Sequence, residues 1–165
     1  MEIIRATAAN APLIVDILED ATEWLHSLGF VQWPPGFMRN NQRLIHARIE
    51  AGVSWIARVD GEAIGTLTLQ WDDVEMWGEQ PPVAGYVHSL SVLRTHKGHR
   101  YGEVMLAWAS EQIAAAGRPL FRLDCGAENE RLCCYYRDAG FHPVRIIKHP
   151  RGFYLQLFEK KVGSG

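Results

Sequence analysis

Between Val83 and Ile113 the chain runs from a strand-like stretch, through a short basic segment punctuated by Gly98 and Gly102, into residues spaced as a helix. This strand–turn–helix unit constrains the fold more than any other feature. A strand that feeds a helix through a glycine turn needs partners on its edges and a face for the helix to cover. The flanking sequence supplies both. Glu2 to Arg5 reads as a short strand. Leu13, Ile14, Ile17, Leu18, Ala21, Trp24, Leu25 and Leu28 recur at helical spacing, and Gly29 ends that helix. Trp33-Pro34-Pro35-Gly36 must be a loop, and a second helix is expected over about Met38 to Ala51, stopped by Gly52. Val53 to Val59 and Ala63 to Gln70 are strands joined by the hairpin signal Asp60-Gly61, and Asp72 to Pro82 reads as an acidic loop. Downstream, Val104, Met105, Trp108, Ala109 and Ile113 mark the helix that follows the turn. Leu120 to Cys125 is an apolar strand. Leu132, Tyr135, Tyr136 and Ala139 stripe a helix ended by Gly140, and strands over Val144 to Lys148 and Phe153 to Phe158 turn at Pro150-Arg151-Gly152. The order β-α-α-β-β-β-α-β-α-β-β predicts a single α/β domain over residues 1–165, a mixed central β-sheet flanked by helices on both faces. Gly163-Ser164-Gly165 has the composition of a disordered or added end, so a tail is drawn at 161–165.

Composition narrows the class. With 165 residues, 47% of them hydrophobic, 22% charged and a net charge of −2, the chain is neither disordered nor a basic nucleic-acid arm, and no nucleic-acid partner is expected. Acidic residues from Glu2 to Glu23 interrupt any signal-peptide core, and no run is apolar for long enough to span a membrane. Cys125, Cys133 and Cys134 form no CxxC pair, which argues against a disulfide framework and for a cytoplasmic location. Residues 1–92 hold 12 acidic and 5 basic side chains, whereas 93–165 hold 7 and 12. Such a field suits one anionic and one cationic ligand, although uneven solvated surface charge has the same appearance.

The turn itself is a candidate anion site. At Lys97-Gly98-His99-Arg100-Tyr101-Gly102 a helix begins, with unpaired N–H groups and the positive end of its dipole. Gly98 and Gly102 let the backbone approach a ligand, and Arg94, Lys97 and Arg100 add charge of the sign a diphosphate needs. Here the sequence resembles the GNAT superfamily of N-acetyltransferases. Their acetyl-CoA pyrophosphate loop reads Val-x4-(Gln/Arg)-x-x-Gly-x-(Gly/Ala), which runs from Val92 through Lys97 to Gly102. Lys97 replaces Gln or Arg, and Arg100 replaces the first glycine, so an ordinary right-handed backbone is expected at Arg100. A second segment, Asn129 to Phe141, is similar to the family's Asn-x6-Tyr-x3-Gly-Phe ending. The resemblance follows the element order over roughly residues 2–160, with its specific motifs within 83–141.

The resemblance implies acetyl-CoA as cosubstrate, held by Leu90, Ser91, Val92, Lys97, Gly98, His99, Arg100, Tyr101, Gly102, Asn129 and Tyr136. It implies an N-acyltransferase acting on a primary amine of a small molecule by direct attack, or else on a protein or peptide amine. A non-catalytic acyl-CoA-binding regulatory module is the alternative of a different class. Thioester acyl transfer needs a neutral amine, a stabilised oxyanion and a proton for the thiolate. A bulge is expected to free a backbone N–H near Leu90, with the pantetheine arm pairing along Leu90 to Val92. Tyr136 falls where the family keeps its tyrosine facing sulfur, and core packing is its bland role. His88 shares a face with Tyr86 and Leu90. In the pattern Tyr86-x-His88-x-Leu90-x-Val92, compared with His-x-His-x-Leu-x-Val of arylalkylamine acetyltransferases, His88 is the candidate base. A neutral core histidine is its equal rival. Asn129 also suits a helix N-cap. Trp33, Trp71, Asp72, Asp73, Trp77 and Tyr86 are the candidate acceptor-binding residues, aromatic faces and carboxylates together favouring a cationic amine. His96 and His99 lack a third ligand, so no metal is expected. Homodimers recur among the proteins it resembles, but no residue here marks an interface.

Overall fold

The computed structural model describes residues 1–30 and 32–163. Seven strands alternate with helices in the anticipated order: β1 (Glu2–Arg5), α1 (Ala11–Ser27), α2 (Phe37–Asn40), α3 (Gln42–Glu50), β2 (Ser54–Val59), β3 (Glu62–Gln70), α4 (Val74–Trp77), β4 (Ala84–Val92), α5 (Tyr101–Ala115), β5 (Leu120–Gly126), α6 (Glu130–Asp138), β6 (His142–Lys148) and β7 (Tyr154–Lys161). The strand order is β1-β2-β3-β4-β5-β7-β6. The chain clusters into two compact units, residues 1–69 with 89–105, and residues 70–88 with 106–165.

In the first unit, β1 and β3 flank β2 antiparallel, and the β2–β3 register slips between Ala57 and Arg58 after the Asp60-Gly61 turn. Ile14, Val15 and Leu18 from α1 meet Met38, Ile45 and Ile56 in the core, with Trp33 and Phe37 packed against it. The single helix expected over Met38 to Ala51 is two helices, because Asn41 leaves helical geometry at φ −122, ψ 37. Its side chain donates instead to the carbonyl of Phe37 at 2.7 Å. Glu19 explains how so short a helix as α2 is held. Only 1% exposed on the inner face of α1, its carboxylate accepts the backbone N–H groups of Gly36, Met38 and Arg39 at 2.8, 2.7 and 3.0 Å. Those are the open donors of the first turn of α2, and a carboxylate there also meets the positive end of the dipole.

In the second unit β4 and β5 run parallel, Ala84 to Val87 against Leu120 to Leu123. On its other edge β5 pairs antiparallel with β7, which pairs with β6. Phe121, Tyr136, Phe141 and Phe158 form one aromatic cluster, with edge contacts at 4.9 to 5.9 Å. The stretch expected to be wholly loop after β3 contains the one-turn helix α4, capped by the Asp73 carboxylate on the N–H of Met76 at 3.3 Å. Of the tail drawn at 161–165, Lys161 is the last residue of β7 and Val162 is buried, its N–H donating to the carbonyl of Pro119 at 2.9 Å. Ser164 and Gly165 lie outside the described residues.

Replacing Glu19 by Ala strands three N–H groups under α1. The expected loss of stability is about 3 kcal/mol or more, read by denaturant unfolding. Glu19→Gln, which keeps an acceptor but not the charge, should fall between the two.

Candidate active site

The end of β4 from Ser89 to Val92 belongs to the first unit. Ser89 has φ +54, the left-handed conformation that β-strand residues other than glycine rarely adopt. That kink lies one residue before Leu90, the place where a bulge is expected. Leu90, Ser91 and Val92 are half-buried. On the other side, β3 presents Gly65, where a side chain would come within 2.8 Å of the Ser91 carbonyl oxygen and 3.1 Å of the Met105 sulfur. Glycine there lets β3 lie close against the stretch that carries these residues. From α3, Nη1 of Arg48 donates to the Ser89 hydroxyl at 3.0 Å.

The turn into α5 follows. Gly98 has φ +88, and Arg100, contrary to the expectation of a right-handed backbone, has φ +58. Such a left-handed backbone costs an L-residue about 1–2 kcal/mol. The Arg100 guanidinium turns onto the helix it precedes, donating to both carboxylate oxygens of Glu103 at 2.9 and 2.6 Å, and this holds the Glu103 carboxyl below its usual range. Helical bonding starts with the N–H groups of Glu103 and Val104 on the Arg100 carbonyl, so Gly98 to Gly102 form the open end of α5. Lys97 to Arg100 are exposed, and His99 stacks on Tyr101 at 5.4 Å. Arg94 is committed elsewhere. Its guanidinium lies 3.8 Å above the Trp24 ring, and its N–H donates to Asp20.

The second unit holds the titratable centre. Parallel pairing sets Tyr86 beside Arg122, and one pleat further on the same face come His88 and Asp124. Asp73, at the start of α4, completes the group. His88 Nε2 is 3.1 Å from Oδ2 of Asp73, and its Nδ1 is 3.3 Å from Oδ2 of Asp124. Both carboxylate oxygens and Nε2 are shut off from water and lack a well-aligned hydrogen bond, so these contacts are close ion pairs. Burial alone pushes the imidazole down. The two carboxylates outweigh it and raise the pKa from 6.5 to about 9. The two carboxylates therefore favour the imidazolium over the neutral ring. The three ligand-type atoms lie within 4.8 Å of one another, a donor set and spacing that can also hold a metal ion.

A cavity of about 230 Å³ opens beside Asp73, lined by Trp71, Asp72, Asp73, Val74, Glu79, Gln80 and Tyr86 among others, with His88 and Asp124 outside its wall. Four of the six candidate acceptor residues thus share one wall. Trp77 is instead 4% exposed and packs against Tyr86 from beneath, and Trp33 sits in the first unit against Phe37 at 4.7 Å. Three arginines shape the cavity. Arg118 donates to the carbonyls of Trp71 and Ala84 at 2.7 and 2.8 Å. Arg145 donates to that of Trp77 at 3.2 Å. Arg122 is 7% exposed, donates to Glu159, Gln80 and the Tyr86 hydroxyl, and lies 4.3 Å over the Trp77 ring. Gly85 allows this closeness, since a side chain there would meet Ile113 Cδ1 at 2.8 Å and the Trp71 ring at 3.2 Å.

On α6, Asn129 caps the helix through the N–H of Leu132 at 3.1 Å. Tyr136 is buried between Phe141 and Phe158, and burial pushes its phenol above the ordinary value, so it stays protonated. The Cys125 and Cys133 thiols stand 3.6 Å apart beside it, unlinked.

A model of the acetyltransferase (GNAT) family matches residues 18–141. This chain is a GNAT acetyltransferase. The uncharacterised N-acetyltransferase YesJ of Bacillus subtilis strain 168 is 29% identical over 163 residues, covering 95% of this chain and 88% of that one. Among solved structures, a GNAT acetyltransferase of Streptococcus agalactiae superposes with a TM-score of 0.82 at 16% identity, covering 99% and 96% of the two chains. The protein yncA of Salmonella typhimurium, solved with its cofactor acetyl-CoA, superposes at 0.69 with 16% identity, covering 100% and 95%. Against this GNAT frame, sequence reasoning passed over Asp124, Arg122 and Arg48. Asp124 and Arg122 stood as single charges in an apolar strand, and only strand pairing reveals that they face His88 and Tyr86. Arg48 stood as one more charge on a surface helix.

The clamp makes the GNAT fold pH-sensitive in a defined direction. The folded pKa of about 9 exceeds the unfolded 6.5, so His88 stabilises the fold fully below pH 6.5 and loses that contribution as pH rises through 9. Asp124→Asn should bring the His88 midpoint down toward 6.5 in an NMR titration of its ring protons. A midpoint unmoved from 9 would show that Asp124 does not hold the proton.

Proposed function

We propose that this acetyltransferase uses acetyl-CoA to acetylate the primary amine of a small molecule by direct attack in a ternary complex. The observation that carries this reading is the acidic cavity lined by Trp71, Asp72, Asp73 and Glu79, whose Asp73 also contacts His88. Its volume of about 230 Å³ suits a small amine rather than a folded protein's side chain with its flanking backbone. Trp71 offers a π-face and Asp72, Asp73 and Glu79 offer negative charge, the pair of features that attracts an ammonium.

Acetyl-CoA is assigned to β4 and the turn into α5. Backbone N–H groups from Gly98 to Gly102, at the open end of a helix, suit the diphosphate, and Leu90 to Val92 suit the amides of the pantetheine arm. A backbone N–H near Leu90, next to the left-handed residue Ser89, is assigned to the thioester carbonyl and then the oxyanion.

Proton transfer follows from the clamp. In the free enzyme His88 already holds a proton and cannot act as a base. An incoming ammonium beside Asp73 competes for the same negative charge and lowers the His88 pKa by like-charge repulsion. His88 then gives its proton up to solvent through Nδ1, and the neutral ring takes one from the ammonium, freeing the amine's lone pair to attack. The tetrahedral intermediate collapses with cleavage of the carbon–sulfur bond. Tyr136, kept neutral by burial, is the assigned donor to the departing thiolate, and Asn129 fixes the helix that carries it.

The test is free-thiol release from acetyl-CoA against a panel of small amines and a lysine peptide. Turnover should be confined to the small amines and should rise toward alkaline pH. Release with the peptide alone would replace this reading by a peptide acetyltransferase, and no release with any amine would replace it by a binding module. Tyr136→Phe should leave acetyl-CoA affinity intact and lower turnover by about 10²–10⁴. Full turnover in that variant would remove Tyr136 from the proton path. Because Arg100 is paired to Glu103 rather than held out as a phosphate clamp, Arg100→Gly should keep acetyl-CoA affinity within about threefold, the scale of an exposed ion pair. A loss above about tenfold in isothermal titration would show that the guanidinium exchanges Glu103 for the diphosphate.

A further inference from the structure

Arg48 is the charged group the mechanism above leaves unused. It lies in the last turn of α3, half-buried, and Nη1 donates to the Ser89 hydroxyl at 3.0 Å. Among the described residues no carboxylate stands at ion-pair distance from it. Burial lowers its pKa with no acidic group acting in the other direction, although a guanidinium remains charged throughout the physiological range. The negative end of the α3 dipole offsets a part of that charge. The remainder is a half-buried cation with no counter-ion at ion-pair distance among the described residues. Charges perturbed by burial in this way cluster at sites that a ligand completes.

Its position sets what that ligand must be. Ser89 lies between His88 and Leu90, at the kink assigned to the thioester carbonyl, so Arg48 reaches the reacting end of β4. A guanidinium has five N–H donors in one plane, of which the serine hydroxyl takes one. The remaining geometry matches the two oxygens of a carboxylate.

We propose that Arg48 anchors a carboxylate carried close to the transferred acyl carbon. The proposal rests on the acyl-transfer reading above. Two molecules can bring such a carboxylate there, an acceptor that is an amino acid or an acyl donor that is a dicarboxylic half-thioester. In either case the ion pair supplies the missing counter-charge, and Ser89, bonded to the same guanidinium, fixes its direction.

The experiment measures kcat/KM by thiol release in two arms. One arm sets amino acids against their decarboxylated amines, phenylalanine with phenethylamine and lysine with cadaverine, using acetyl-CoA. The other sets malonyl-CoA and succinyl-CoA against acetyl-CoA with one amine. The wild type should prefer the carboxylate-bearing partner in one arm, which identifies the source. In Arg48→Met that preference should collapse by about tenfold to a hundredfold, the worth of a charged hydrogen-bonded contact, and mainly through KM. Arg48→Lys, which keeps the charge without the fork, should retain part of it and serves where the methionine variant does not fold. Thiol release without carboxylate preference in either arm, or an equal loss for every substrate in both variants, overturns the role of Arg48 and leaves the acetyltransferase reading standing. Absence of thiol release with every pair overturns that reading, and this proposal with it.

Discussion

The proposed chemistry of this chain turns on one interaction, a half-buried imidazole held between two carboxylates. Each of the three groups is costly to bury alone. Together they carry one net negative charge, and the imidazolium is the form that makes the arrangement tolerable. Its pKa of about 9 is therefore a property of the cluster, set by Asp124 and Asp73 against burial. A proton affinity raised in this direction is what lets the proposed ammonium and the imidazolium compete for the same charge. A histidine tuned to 6.5 by water would be mostly neutral before any substrate arrived, and binding an ammonium would do less to it.

The two residues other than glycine held at positive φ in the cofactor-side segment, Ser89 and Arg100, bracket the stretch to which the acyl donor is assigned. Both conformations cost energy that neighbouring structure must supply. Ser89 is tied by Arg48, and Arg100 by its two bonds to Glu103. Arg100 thus holds a left-handed backbone of the kind that glycine adopts most easily.

Periodicity made the order of strands and helices legible, and local motifs made the turn at 97–102, Tyr136 and His88 legible. What failed to appear was whatever depends on pairing across the fold. Glu19 scans as one of several acids on an amphipathic helix, yet it is buried and holds the first turn of another helix. Asp124 scans as a lone polar residue in an apolar strand, and the parallel register with β4 alone gives it His88 as a neighbour. The break at Asn41 escaped for a different reason. Its apolar spacing continues through the break, so hydrophobic pattern carries no sign of a side chain that bonds the backbone instead.

The uneven charge along the chain acquires its meaning in the second unit. Arg118, Arg122 and Arg145, from the basic half, lie on the tryptophans and carbonyls of the acidic segment 70–82. Their partners are mostly π-faces and peptide oxygens, and the one carboxylate among them, Glu159, belongs to β7. Basic side chains therefore position the acidic segment without neutralising it. Had they paired with Asp72, Asp73 or Glu79, the cavity wall would be rigid and electrically spent. Spent on carbonyls instead, they leave a shaped wall whose negative charge faces the cavity, which is the arrangement that binding a cationic acceptor requires.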